Sequence, residues 1–93
     1  MKIVRSKKYT KSLQEALRFI ARDSRQRALN FKRELDEHID DLNNMPFKFR
    51  QSIYFENKNM RDLIFKGYTI VYKINEEERV ITIVGMKNTQ NKL

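Results

Sequence analysis

The sequence predicts an α+β domain: an N-terminal β-strand, then an antiparallel helical hairpin packed on a C-terminal antiparallel β-meander. Two patterns predict this class. Apolar residues recur at helical spacing in the first half of the chain and alternate with period two in the second half. Helices that precede a run of strands are typical of α+β domains. The chain has 93 residues, the size of one domain, so residues 1–93 are interpreted as a single unit.

The first half predicts one short strand and two helices. Lys2-Ile3-Val4 is β-prone, and as an edge strand it would tie the terminus to the later sheet. Ser6 is the predicted N-cap of a helix over residues 7–22, and Ser24 that of a second helix ending near Leu42. Each helix carries one apolar stripe: Leu13, Ala16, Leu17 and Ile20 in the first, and Ala28, Phe31, Leu35, Ile39 and Leu42 in the second.

A tight hairpin is predicted at the centre of the meander. Two apolar-rich runs, Leu63–Phe65 and Tyr68–Ile74, flank Lys66-Gly67, and a two-residue gap containing glycine is typical of antiparallel hairpins. The second run alternates strictly, so its two faces differ. One face carries Tyr68, Ile70, Tyr72 and Ile74, and the other carries Thr69, Val71 and Lys73.

The hairpin is expected to have a strand on either side of it in the sequence. Ser52–Phe55 has strand character and is followed by the turn-like segment 56–59. Val80–Met86 is the last predicted strand, after the polar turn at residues 75–79. Lys87–Leu93 has no periodicity and is expected to be a polar tail outside the sheet.

Charge and composition narrow the functional classes. The chain has 20 Lys and Arg against 12 Asp and Glu, a net charge of +8. Such an excess favours a polyanionic partner, although a basic surface that only aids solubility is the alternative. Cysteine is absent, which excludes a disulfide framework and thiolate metal sites. No apolar run reaches the ~18 residues of a membrane span, so no membrane partner is expected and a cytoplasmic location is predicted.

No metal site or other cofactor is predicted. His38 is the single histidine, and with only scattered carboxylates around it, it is interpreted as a solvent-facing or boundary residue. The acidic residues of the same helix, which include Glu37 and Asp40-Asp41, are expected to form a solvated face. They would pair with basic residues one turn away, such as Lys32 and Arg33.

Metal-free RNA cleavage is chemically possible for this composition. It requires a base for the 2′-hydroxyl, an acid for the leaving oxygen and cations on the phosphate. Tyr68 and Tyr72 would serve if clustered with cations, but they are also expected as plain core aromatics. Phe47-Lys48-Phe49-Arg50 is either a stacking platform for single-stranded RNA or a hydrophobic plug between helices and sheet. The catalytic candidates are Lys48, Arg50, Arg61, Lys66 and Lys87.

Several segments together resemble the RelE/ParE superfamily of bacterial type II toxins. They are Arg61-Asp62-Leu63, Gly67-Tyr68, Ile70–Ile74 and Val80–Val84, in a chain with this element order. The resemblance implies a toxin neutralised by a cognate acidic antitoxin, which folds on binding and forms a toxin–antitoxin hetero-oligomer. The residues expected to bind the target or the antitoxin are Arg50, Arg61, Lys66, Lys73 and Lys87.

The resemblance is closer to the ParE-like branch, whose members inhibit DNA gyrase by binding. RelE-like ribosome-dependent mRNA endonucleases have an arginine where this chain has Thr69, and often a Tyr or His near the C-terminus. Here the tail offers Lys87 and Lys92 instead. Two alternatives stay open: a RelE-like endonuclease acting on ribosome-bound mRNA, and a non-toxic basic module that binds nucleic acid or a protein.

Overall fold

Residues 1–89 are described by the computed structural model, and within them two α-helices cover one face of a four-stranded sheet. The strand order is β1-β4-β3-β2, with β1 parallel to β4 and all other neighbours antiparallel. The predicted α+β class and the predicted edge position of the N-terminal strand are therefore confirmed. The elements are β1 (Lys2–Arg5), α1 (Lys7–Ala21), α2 (Arg25–Asp40), a 3-10 helix (Asp41–Asn43), β2 (Met60–Phe65), β3 (Tyr68–Asn75) and β4 (Val80–Asn88).

Both helices begin at the predicted serine caps. Ser6 Oγ accepts a hydrogen bond from Tyr9 N (3.0 Å), and Ser24 Oγ accepts one from Arg27 N (3.2 Å). These bonds satisfy backbone donors that the first helical turn leaves free. The Ser6 hydroxyl also donates to the carbonyl of Val84 (2.8 Å), so the cap fixes the start of α1 against β4.

The β2–β3 hairpin has the predicted two-residue turn. Lys66 and Gly67 both have positive φ, 45° and 82°. Two positive φ values are what a type I′ turn requires, and its twist matches that of the flanking strands. The ladder runs from Phe65↔Tyr68 at the turn to Met60↔Lys73 at the far end.

Two predicted boundaries are wrong. Ser52–Phe55 is not a strand: only Gln51 makes an isolated bridge, to Arg61, and the chain then turns. The Ile53 amide donates to the Asp62 carboxylate (3.1 Å) instead of to a neighbouring strand, and such local bonds to side chains compete with sheet ladders.

The predicted polar tail also begins too early. β4 continues to Asn88, because Lys87 pairs with Thr69 and Asn88 pairs with Tyr68 along β3. The tail expected beyond this point, including Lys92, lies outside the described residues.

The main core lies between the helices and the inner face of the sheet. Ile70, Tyr72 and Ile74 of β3 are fully buried there, as their alternation predicts, whereas Tyr68 near the turn is half-buried. The aromatic rings of the inner face meet edge to face, a favourable geometry: Phe31 of α2 lies 5.2 Å from the Phe65 ring and 5.4 Å from the Tyr68 ring.

The outer face of the sheet is covered by an irregular segment, residues 50–59, called here the covering loop. Asp62 and Thr69 lie on this face and are each 1 % exposed. The loop reaches the face through the bond from Ile53 N to Asp62, and its Tyr54 ring packs under Lys87 Nζ at 4.3 Å. The outer face is therefore buried in part, at Asp62 and Thr69, although helices cover only the inner face.

Alkaline pH should destabilise the fold through two buried tyrosines. Burial raises the pKa of Tyr9 and of Tyr72 from 10.0 to about 12. The neutral phenols are thus favoured in the folded state, so their contribution to stability is complete below pH 10 and is lost as the pH rises from 10 to about 12. Urea unfolding measured across this range should show a falling midpoint.

Tyr9→Phe is the control for this effect. The Tyr9 hydroxyl is buried and has no hydrogen-bond partner among residues 1–89, so its removal should leave stability at pH 7 unchanged or raised. The alkaline decline should be shallower in the variant. An identical decline in both proteins would show that Tyr9 does not contribute to it.

Candidate functional site

The sheet divides the predicted cationic site residues between its two faces. Arg61 and Lys66 lie on the inner, helical side, whereas Lys73 and Lys87 alternate onto the outer face, to which Arg50 is also tied through Asp62. The sixth, Lys48, lies beside the end of α2, where its Nζ is 5.3 Å from the Phe49 ring centroid. These residues therefore do not form one cluster.

Arg61 ties both ends of the covering loop to β2. Its Nε donates to the Lys58 carbonyl (2.8 Å) and its Nη1 donates to the Phe49 carbonyl (3.0 Å). Its guanidinium also lies 4.9 Å from the Phe47 ring centroid, which is cation–π range. Phe49 packs against the core, as the plug interpretation predicts, whereas Phe47 is partly exposed beneath Arg61.

Lys66 and His38 both contact Glu34 of α2. Lys66 Nζ lies 2.9 Å from Glu34 Oε1, and this hydrogen bond lowers the pKa of the Glu34 carboxyl. His38 is exposed, with Nδ1 2.8 Å from the Glu34 carbonyl oxygen and its ring 5.0 Å from the Phe65 ring. Within residues 1–89, no three acidic, histidine or cysteine side chains are grouped so that they could hold a metal ion.

The acidic side of α2 forms the ion pair expected with Lys32. Lys32 Nζ lies 2.8 Å from Asp36 Oδ2, one helical turn away. Arg5 of β1 adds to this network, because its guanidinium lies 3.6 Å from Asp36 and 3.5 Å from Asp40. These ion pairs therefore connect β1 to α2.

A buried carboxylate organises the outer face. The Asp62 side chain is fully buried, and its Oδ2 accepts from Ile53 N and from Arg50 Nη2 (3.4 Å). Its Oδ1 is buried without a partner in the described structure. Asp62 thus holds the covering loop, while half of the Arg50 side chain stays exposed.

Thr69 is an uncharged residue at a buried position. Its side chain is 1 % exposed, and its hydroxyl lies 3.1 Å from the hydroxyl of Thr89. Thr89 is in turn bonded to the Gly67 carbonyl through its amide (2.8 Å) and its hydroxyl (3.3 Å). Thr69 therefore closes the end of the β3–β4 ladder and presents no charge to solvent.

Two exposed apolar surfaces were not predicted from the sequence. The first, called the helical patch, is made by Leu29 (57 % exposed) of α2 and the groove beside it. Leu29 lines this shallow groove with Leu17 and Ala28, and the groove is edged by Arg18, Arg25 and Lys32. Phe19 of α1 is also exposed (62 %), but it lines separate grooves that include Tyr68. The sequence could have indicated both exposed residues, because Phe19 and Leu29 are apolar residues outside the stripes that face the core.

The second surface, called the outer patch, lies on the covering loop and the neighbouring edge of β2. Its members are between 36 and 65 % exposed and comprise Ile53, Tyr54, Phe55 and Ile64. Three of them were assigned to a strand that does not form, which hid their common exposure. No helix among residues 1–89 combines the length and apolar character needed to cross a membrane.

Comparisons with known proteins agree with this fold. The family model described as "ParE toxin of type II toxin-antitoxin system, parDE" matches residues 3–91. A solved structure titled "Chromosomal ParDE TA system from P. aeruginosa" superposes with a TM-score of 0.75 over 96% of both chains, at 13% sequence identity. That identity supports a shared fold only, and no curated protein sequence gave a significant match. Because the family model spans nearly the whole chain, the protein belongs to the ParE toxin family of type II toxin–antitoxin systems.

Proposed function

We propose that this protein arrests growth by binding DNA gyrase in the cytoplasm, and that it acts without cleaving RNA. Membership of the ParE toxin family supports a toxin role. The observation that carries the choice of mechanism is Thr69. The position at which the resembling endonucleases have an arginine is here a buried threonine bonded to Thr89, which offers no positive charge to a scissile phosphate.

The state of the other cations supports binding over cleavage. Arg61 is bonded to two backbone carbonyls, Lys66 to Glu34, and Arg50 to Asp62. Phosphate-cleaving sites need an acid, a base and a cation converging on one reacting group. Here the candidates lie on opposite faces of the sheet, each with an intramolecular partner.

The helical patch is the surface we assign to the antitoxin. Leu29, Leu17 and Ala28 offer apolar contacts, and their groove is edged by Arg18, Arg25 and Lys32. An amphipathic acidic segment fits such a surface, because its apolar side chains enter the groove while its carboxylates meet the basic edge. This assignment accords with the toxin–antitoxin context of the family.

Purified protein should inhibit plasmid supercoiling by DNA gyrase at micromolar concentration or below, or trap cleaved plasmid. The reason is that a binding inhibitor acts stoichiometrically and needs no further component. Heat-denatured protein serves as the control. In parallel, primer extension on mRNA after induction should show no new breaks within translated codons.

Two results would contradict the proposal. Normal supercoiling by gyrase in the presence of excess protein would show that gyrase is not the target. New codon-specific breaks in translated mRNA, accompanied by unaffected gyrase, would establish the endonuclease alternative instead.

A further inference from the structure

We infer that the outer patch is the surface through which this toxin grips its target, and that it fits a protein surface with carboxylates around an apolar side chain. This inference rests on the proposed function, since it names the contact surface for the inhibited enzyme. It assigns target binding and antitoxin binding to opposite sides of the sheet.

The outer patch is a continuous feature of one face. Asp62, Ile64, Thr69 and Lys87 lie on that face, because Ile64 pairs with Thr69 and Thr69 pairs with Lys87. The covering loop crosses it, anchored at Asp62 through Ile53 N and at Lys87 through the Tyr54 ring. The exposed loop side chains and Ile64 therefore belong to the same side of the molecule.

The loop that carries the patch is held in a defined shape. Ser52 N donates to the Met60 carbonyl (2.7 Å), and Asp62 N donates to the Arg50 carbonyl (3.1 Å). Ser52 Oγ accepts from Tyr54 N (3.1 Å), which fixes the turn before the aromatic residues. A preorganised apolar surface costs little conformational entropy when a partner binds it. Exposed apolar clusters of this kind typically mark interaction sites.

The positive charge around the outer patch indicates the kind of partner that binds it. The cations of the covering loop and of the outer face outnumber the acidic residues there: Arg50, Lys58, Lys73 and Lys87 against Glu56 and Asp62. Lys73 and Lys87 are exposed, so they remain available to carboxylates on a partner. An acidic surface is therefore steered toward the patch.

The apolar residues favour a protein over a nucleic acid. Ile53, at 65 % exposure, and Ile64, at 49 %, are aliphatic and offer no flat ring on which a base could stack. One side of the Tyr54 ring is already occupied by Lys87 Nζ. Phe55 is left as a ring free to insert into an apolar pocket, which is the usual role of an aromatic anchor in protein interfaces.

The test is gyrase inhibition by a double variant, Ile53→Ser with Phe55→Ser. Both side chains are exposed, so the melting temperature should stay close to that of the wild type. The concentration needed for half-maximal inhibition of supercoiling should rise at least about tenfold, as loss of an interface anchor predicts. The matched control is Phe19→Ser with Met45→Ser, two exposed apolar residues outside both patches, which should inhibit as the wild type does.

A second variant covers the case in which the double variant unfolds. Ile64→Lys changes an exposed position on β2, outside the loop, and should weaken inhibition while the fold is retained. Equal inhibition by the folded outer-patch variants and the wild type would overturn this inference and leave the proposed function standing. A wild-type protein that does not inhibit gyrase would overturn the proposed function, and this inference with it.

Discussion

Replacing Tyr72 with alanine should lower the free energy of unfolding by about 3–5 kcal/mol, the usual cost of truncating a buried aromatic side chain. The side chain is 0 % exposed at the centre of the inner face, so nothing but a cavity replaces the ring. The substitution also removes the hydrogen bond from the phenol to the Pro46 carbonyl (2.7 Å). A small domain has only about 5–15 kcal/mol of stability in total, so a substantial unfolded fraction is expected at 37 °C.

Urea unfolding monitored by circular dichroism measures this effect, and two further variants divide it into parts. Tyr72→Phe keeps the ring and should cost roughly 1 kcal/mol, the value of the lost hydrogen bond. Tyr68→Ala should cost less than Tyr72→Ala, because Tyr68 is only half-buried. Equal costs at the two tyrosines would contradict the burial assigned to them.

Replacing Asp62 with alanine should release the covering loop and lower stability by about 2 kcal/mol. The estimate follows from a charged acceptor that serves both Ile53 N and Arg50, since hydrogen bonds to charged groups are worth about 1.5–3 kcal/mol. One term opposes it: burying a carboxylate whose Oδ1 has no partner is itself unfavourable. The lost hydrogen bonds outweigh the relief from no longer burying a carboxylate, because the alanine leaves the Ile53 amide without its acceptor.

Limited trypsin digestion tests the release directly, because Arg50 and Lys58 lie at the two ends of the loop. Cleavage at these residues should be faster in Asp62→Ala than in the wild type, while cleavage within α1 stays unchanged. Arg50→Ala is the matched control, with cleavage followed at Lys58 alone because this substitution removes the trypsin site at residue 50. It removes the half-exposed partner but keeps the bond to Ile53 N, so it should lose less stability than Asp62→Ala. Wild-type cleavage rates in Asp62→Ala would show that other contacts hold the loop.

The elements that depend on local pattern were predictable from the sequence. The helices follow from apolar stripes and serine caps, and the hairpin follows from Lys66-Gly67 between two β-rich runs. The covering loop was not, because its conformation depends on Asp62, a side chain that lies several residues away on another element. Tertiary hydrogen bonding therefore outweighs the β-propensity of Ser52–Phe55, and no strand forms there.

The candidate site shows the same limit. The sequence shows which residues are basic. It does not show that Arg61 donates hydrogen bonds to two backbone carbonyls, or that Lys66 forms an ion pair with Glu34. Phe49 and Glu34 are distant in sequence from the cations that they bind, and only the fold brings them together. Thr69 was identified by resemblance alone, and its bond to Thr89 supplies the physical reason why that position is neutral.

The parallel pairing of β1 with β4 sets the point in synthesis at which the fold can be completed. The bond from Ser6 to Val84 joins residues 78 positions apart, and β4 is also the antiparallel partner of β3. Until β4 has left the ribosome, β1 has no partner strand, β3 is paired only with β2, and the cap of α1 lacks its anchor. Contacts between distant parts of a chain form late and slowly. The sheet is therefore completed only after translation has passed β4, and chains that stop short of that strand lack the outer face to which the covering loop is anchored.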